Sequence, residues 1–371
     1  MSLCAGGLRR RTHRLELLGS RVLWPAWVRR GIQLVATLSI TLVLGLLSQP
    51  ALPSNGEIPS PTTAILKFPV WVLASLSDFQ TQLAESEFSV QADDSKLKVL
   101  RILSPDSPTF LFVALDMVGD IANMNQARRA LQDQVKSLGS QYWVSLISAQ
   151  EQINVLQDPT PDHDLLVKEL ESFSQIGKAG LLESVERVAA LANGVLSESD
   201  VRVAVIFVTD SDIGNYRTDY LNPTVNYSDA RDLSRRFAGR ALQEKISRMT
   251  AALARYQAPI FIVHIDPGRD PLNQAYLNGL KQFAEISGGQ LFLSRTPGEI
   301  PVNMQEAFRW VQNAYVVDVE VPQGKEGSLK LKVTAGVANE RNGWKVSYPA
   351  RLYVPDEDGN FRSAKRKRSR R

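Results

Sequence analysis

Pro108-Thr-Phe-Leu-Phe-Val-Ala-Leu-Asp-Met-Val-Gly-Asp-Ile-Ala122 carries an unbroken apolar run, Phe110 to Leu115, that stops at Asp116. A run of that length without polar alternation is what a parallel strand buried on both faces requires. Ligands of open parallel sheets sit beyond the carboxyl ends of the strands, so Asp116 stands where chemistry or metal binding is placed. A helix is predicted from about Asn125 to Ser137. The same pattern recurs at Arg202-Val-Ala-Val-Ile-Phe-Val-Thr-Asp210 and again at Ile260 to Ile265, which leads to Asp266. With helical segments between them, these units predict an α/β fold, a doubly wound and mostly parallel sheet.

Three segments make the prediction more specific. Asp116-Met-Val-Gly-Asp120, Gly177-Lys-Ala-Gly-Leu-Leu-Glu-Ser-Val185 and Val208-Thr-Asp210 resemble, in that order, the three loops of a von Willebrand factor A-type domain. The chain is most similar to the bacterial, acidobacterial-type "VWFA-related" family over roughly residues 63 to 355. The family's first loop reads D-x-S-x-S, its second supplies a threonine and its third an aspartate, and together they hold one divalent cation. The resemblance therefore implies a protein-binding module in which Mg²⁺ or Ca²⁺ bridges to an acidic group of a partner.

Here the pattern is only partly kept. Asp116 and Asp210 match the aspartates, but Val118 and Asp120 replace the two serines and Ala179 replaces the threonine. Valine and alanine offer a cation no lone pair. Two outcomes follow: Asp116, Asp120, Asp210 and Asp212 form a different, more anionic oxygen site, or the metal is lost and the aspartates serve the structure. Clustered carboxylates without a cation would repel, and at least one pKa would rise. The rim includes Gly119 and a polar insertion, residues 211 to 229, whose Asn215, Tyr216, Tyr220 and Tyr227 suit partner contact.

The 371-residue chain has a formal charge of +4, but the charge is concentrated at its ends. Residues 1–30 carry seven Arg against one Glu, and residues 362–371 carry seven Lys or Arg and no acid, which leaves nine net negative charges on residues 31–361. An acidic core of this kind argues against nucleic-acid binding. Gly31 to Ser48 contains no charge, is just long enough to cross a bilayer and follows the basic stretch. The positive-inside rule then predicts a cytoplasmic amino terminus and an exported main domain, anchored in a bacterial inner membrane or secreted if the segment is cleaved. The only thiol, Cys4, precedes the apolar run, so the exported part has no disulfide.

The expected organisation is a basic tail (1–30), a transmembrane anchor or signal peptide (31–48), a Pro/Ser/Gly-rich linker (49–62), a β-rich segment (63–104), the α/β domain (105–314), returning strands (315–355) and a basic disordered tail (356–371). Strands are predicted at Ile65–Ala74, Leu83–Gln91 and Leu97–Ile102, and again at Tyr315–Val321, Ser328–Val333 and Trp344–Val354. These form a small antiparallel β module from both ends of the α/β domain. Further helices are expected at Asp162–Phe173, Leu181–Leu196, Ala230 to about Tyr256 and Asn303–Ala314, with strands at Tyr142–Ser148 and Glu151–Leu156. No nucleophile elbow, phosphate-cradling loop or cysteine metal spacing is present. His264, inside a buried strand, reads as a core imidazole. A protein partner in the cell envelope is the expected ligand; an enzyme built on Asp116 and Asp210 is the alternative.

Overall fold

The decisive strand, Thr109–Asp116, is buried at all eight positions and lies at the centre of the α/β sheet. A computed structural model describes residues 64–75, 78–150, 152–174, 180–213, 243–266, 273–322, 327–336 and 344–354. In chain order the strands are β1 (Ala64–Ser75), β2 (Asp78–Phe79), β3 (Phe88–Ala92), β4 (Ser95–Lys96), β5 (Lys98–Leu103), β6 (Thr109–Asp116), β7 (Tyr142–Ser148), β8 (Asn154–Thr160), β9 (Arg202–Thr209), β10 (Ile260–His264), β11 (Leu291–Leu293), β12 (Tyr315–Val321), β13 (Gly327–Ala335), β14 (Lys345–Ser347) and β15 (Arg351–Val354). The helices are α1 (Ile121–Ser137), α2 (His163–Ser172), α3 (Leu181–Glu198), α4 (described over 243–253), α5 (Asn273–Ile286) and α6 (Glu299–Gln312).

The six-stranded sheet runs β11-β10-β9-β6-β7-β8. All pairs are parallel except the edge, where β8 returns antiparallel to β7. Chain direction across the sheet reverses between β6 and β9, whose register pairs Asp116 with Thr209. That pair is the switch point where a doubly wound sheet opens a crevice. Met124, Ala127, Leu131 and Val135 recur at helical spacing and turn α1 toward the sheet. One apolar core joins them to α2, α6 and the inward residues Leu111, Val113, Ile206 and Val208. α3 and α5 pack on β9 and β10.

The flanking segments form two antiparallel sheets. β14-β1-β12-β5, with β2 attached to β1, faces β15-β13-β3-β4 across a core of Leu66, Phe68, Val90, Val317, Leu331 and Val333. Strand β13 shows why: Leu329, Leu331, Val333 and Ala335 are buried while Lys330, Lys332 and Thr334 point outward. Asp93 and Asp94 take positive φ values of 45° and 64°, which suits the two-residue turn between β3 and β4.

Several expectations need correction. Trp344–Val354 is not one strand. Pro349 has no N–H for the ladder, and the chain crosses there from β14, paired with β1, to β15, paired with β13. Residues 85–87 form a 3₁₀ turn, with the Glu87 carboxylate accepting from Ala84 N at 2.7 Å, so the strand predicted from Leu83 begins at Phe88. Helix α1 starts four residues before Asn125 because Asp120 caps it. The apolar run Gly31–Ser48 lies outside the described residues, and among those described no helix is long and apolar enough to cross a membrane.

Arg202 fastens the end of α6 to the α/β sheet. It is 2 % exposed, and its guanidinium donates to the carbonyls of Val311 and Ala314 at 3.0 Å each, to Ser107 O and to Tyr142 Oη. A buried cation is tolerable here because it meets the negative end of α6 and carbonyls that would otherwise be orphaned. Arg202→Met should lower stability by about 3 kcal/mol or more, since several buried acceptors lose their donor at once; the urea midpoint measures it, and an unchanged midpoint would refute the role.

Candidate functional site

The mouth is built by two aspartates at adjacent strand ends. Asp116 closes β6 and is fully buried; Oδ1 accepts from Gly180 N at 2.7 Å and Oδ2 from the Thr209 hydroxyl at 2.8 Å. Asp210, one residue past β9, accepts from Val118 N (3.0 and 2.9 Å to its two oxygens) and from Gly119 N at 2.7 Å. Thus the loop after β6, the start of α3 and the loop after β9 are tied by carboxylates bonded straight to backbone. Glycine is required at the second tie, because a Cβ at Gly180 would collide with the Gln150 carbonyl oxygen. At Gly119 a Cβ would stand 3.0 Å from Asp210 Oδ2.

A relay of hydroxyls runs behind Asp116. Thr209 Oγ1 lies 2.8 Å from Ser211 Oγ, which lies 2.6 Å from Tyr276 Oη on α5. When Asp116 is ionised, Thr209 gives it its one proton, so Ser211 donates to Thr209 and Tyr276 to Ser211, a chain of donors aimed at the carboxylate. His264 Nε2 donates to Ser211 O at 2.7 Å, while its buried Nδ1 has no partner.

Burial pushes the Asp116 carboxyl up to about 7, the Gly180 N–H and the Thr209 hydroxyl hold it back, and the Asp210 charge adds to the rise. Asp210 is raised by burial as well, against the Val118 and Gly119 amides. Burial drives His264 down to about 4, with the Ser211 carbonyl opposing.

The structure brings Asp116, Gly119, Asp120 and Asp210 to one end of the sheet, with Asp212 in the strand-end loop that follows. Asp120, however, directs its carboxylate to Asn123 N at 2.9 Å as the N-cap of α1. Ala179, Asn215, Tyr216, Tyr220 and Tyr227 lie outside the described residues. The residues do not fit the divalent cation the family pattern implies. The carboxylate oxygens of Asp116 and Asp210 face amide and hydroxyl protons, Val118 contributes an N–H where an oxygen is needed, and among the described residues no three His, Cys, Asp or Glu side chains form a cation-holding group. Nor can Asp116 touch a substrate, since it has no exposed surface.

Sequence reasoning missed Thr209, Ser211, Tyr276 and Gln150. The signal for two of them was present: hydroxyls flank Asp210 in Thr-Asp-Ser, and the second loop's absent threonine is answered by Thr209 from the third.

The pH consequence is specific. A carboxyl whose folded pKa is raised holds a proton between about pH 4 and 7 that the unfolded chain releases, so its contribution to stability falls as pH rises through that window. His264 acts with the opposite sign below its ordinary value, since the unfolded chain takes up a proton that the buried ring refuses. Asp116→Asn, which can keep an acceptor toward Gly180, isolates the first effect. Wild type minus variant stability should decline from pH 4 to 7 in thermal melts; a flat difference would refute the assignment.

No family model matches the sequence, and no curated protein matches it. Among solved structures the chain is similar to the vWF domain of the type V pili tip protein Mfa5 from Porphyromonas gingivalis (15% identity, 55% of this chain and 94% of that chain, TM-score 0.39). It is also similar to BatB from Bacteroides thetaiotaomicron (15% identity, 55% and 100%, TM-score 0.34) and to von Willebrand factor type A from Catenulispora acidiphila (10% identity, 82% and 77%, TM-score 0.38). The strand order, the antiparallel edge and the aspartates at the ends of adjacent strands make the α/β part a doubly wound sheet with its mouth at the β6/β9 switch point.

Proposed function

We propose that this chain is an exported protein-binding module, related to the bacterial VWFA-related proteins, that works by contact and uses neither catalysis nor a bound cation. The observation that carries the reading is the pair of direct carboxylate-to-amide ties, Asp210 to Val118 and Gly119 and Asp116 to Gly180, which fasten the loop after β6, the start of α3 and the loop after β9 to one another. The apolar and backbone-rich segment 117–121 is the contact surface. Its Ile121 is 63% exposed directly beside the mouth and offers a partner apolar area there. The charge-free run Gly31–Ser48 behind seven arginines supports anchoring in a bacterial inner membrane, with the amino terminus cytoplasmic and the module facing the envelope.

Two measurements test the reading. The melting midpoint should be the same in chelator, Mg²⁺ and Ca²⁺, because a cation bound only by the native state must raise it; an upward shift at millimolar metal would sink the metal-free claim. Ile121→Glu should leave that midpoint unchanged and abolish capture of the envelope partner. Capture equal to wild type would move the contact surface elsewhere.

A further inference from the structure

Helix α3 turns one face to solvent along its second half, and that face forms a groove lined by Arg187, Ala190, Leu191, Gly194, Val195 and Glu198. Leu191 is 48% exposed. A Cβ added at Gly194 would meet nothing within 4 Å, so no packing among the described residues calls for glycine there. Glycine in a helix interior is destabilising, and at this position the fold gains nothing in return. Among the described residues neither Arg187 nor Glu198 makes an ion pair, and they stand about 16 Å apart along the axis at the α-helical rise.

The order of these six residues is self-complementary. About a point midway between Ala192 and Asn193, Arg187 mirrors Glu198, Ala190 mirrors Val195 and Leu191 mirrors Gly194. In an antiparallel pair of α3 helices related by a twofold axis through that point, each Leu191 would enter the space above the other chain's Gly194. Each Arg187 would meet the other chain's Glu198, and Ala190 would lie against Val195. We infer that this face is a twofold interface between two copies of the chain, with Leu191 and Gly194 as knob and hole and Arg187 and Glu198 fixing the antiparallel direction. Isologous contacts of this kind require that residue i meet j and j meet i, and the sequence satisfies the condition three times in twelve residues. A single helix crossing is at the low end of interface sizes, so the dimer is a reversible one.

Sedimentation velocity of the full chain, in one buffer and detergent for all variants and over roughly 1–300 μM, the range of a weak complex, decides the matter. Wild type should pass from monomer to dimer with concentration. Gly194→Leu should sediment as a monomer throughout while its melting midpoint rises, since leucine favours the helix and has room in the isolated chain. Loss of association with a gain in stability separates this interface from a folding defect. Arg187→Glu and Glu198→Arg should each weaken association about tenfold, and the two together should restore it, because the charges exchange partners. A wild type that stays monomeric, a Gly194→Leu chain that dimerises like wild type, or a double variant no better than either single one would overturn the inference.

Discussion

Asp116 is buried with no basic side chain among the described residues in contact with it, and the crevice is arranged around the few groups that make this tolerable. An unpaired carboxylate taken out of water is costly by many kcal/mol, and proteins answer by neutralising it or by surrounding it with donors. Both answers operate here. The Gly180 amide and the Thr209 hydroxyl face its two oxygens, and the proton's affinity rises until the group titrates near neutrality. The amide donor belongs to the residue that caps α3, where unsatisfied N–H groups already point outward, so helix and carboxylate each satisfy the other's excess. Hence Gly180 has to approach Asp116 closely, Gln150 has to pack beneath it, and the start of α3 is fixed against β6.

The β sandwich is not an appendage to this arrangement. β1 is twelve residues long and serves two cores: Leu66, Phe68, Val70 and Val72 enter the sandwich, whereas Trp71 and Leu73 enter the α/β core. Trp71 Nε1 donates to Trp310 O at 2.7 Å and packs its ring on Trp310 and Phe261, with Arg202 holding the last carbonyls of the same helix. Arg101 adds a polar tie, pairing with Asp318 at 2.6 Å inside the sandwich and with Asp200, after α3, at 2.7 Å. The exposed half of that pair is screened and weak, so the Trp71 hydrogen bond and aromatic contacts set the rigidity of the junction.

Buried strands and the mouth were legible in the sequence because they obey local rules. Phe110–Leu115 and Arg202–Thr209 have no polar alternation, and each ends on an aspartate, which placed Asp116 and Asp210 before any coordinates. The antiparallel strands were legible where side chains alternate, as in β13, and illegible where one backbone atom decides, as at Pro349. Asp120 was read as a possible ligand from its place in a motif, but capping is settled by the next three amides, which motif matching does not weigh. Thr209 and Ser211 were overlooked for a related reason: in a strand, residues two apart share a face, and only the register against β6 brings that face to Asp116.

On the proposed metal-free reading, internal hydrogen bonds in place of metal ligation change what the rim offers a partner. A bound cation with an open position attracts an acid at long range and adds a strong directional bond, whereas a closed network of amides and carboxylates presents no such vacancy. Affinity must then come from area and shape, for which Val118 and Ile121 supply apolar surface and Gly119 lets a partner approach the backbone. Such a surface gains from being tied down in advance, because ordering loops on binding subtracts from the interaction. The Asp210 ties to Val118 and Gly119 fix the segment in the free chain, and the cap on Asn123 fixes the turn that carries Ile121. On the proposed reading, Val118 and Asp120 standing where the resembled pattern has hydroxyls leave the mouth a pre-formed apolar surface in place of an electrostatic grip.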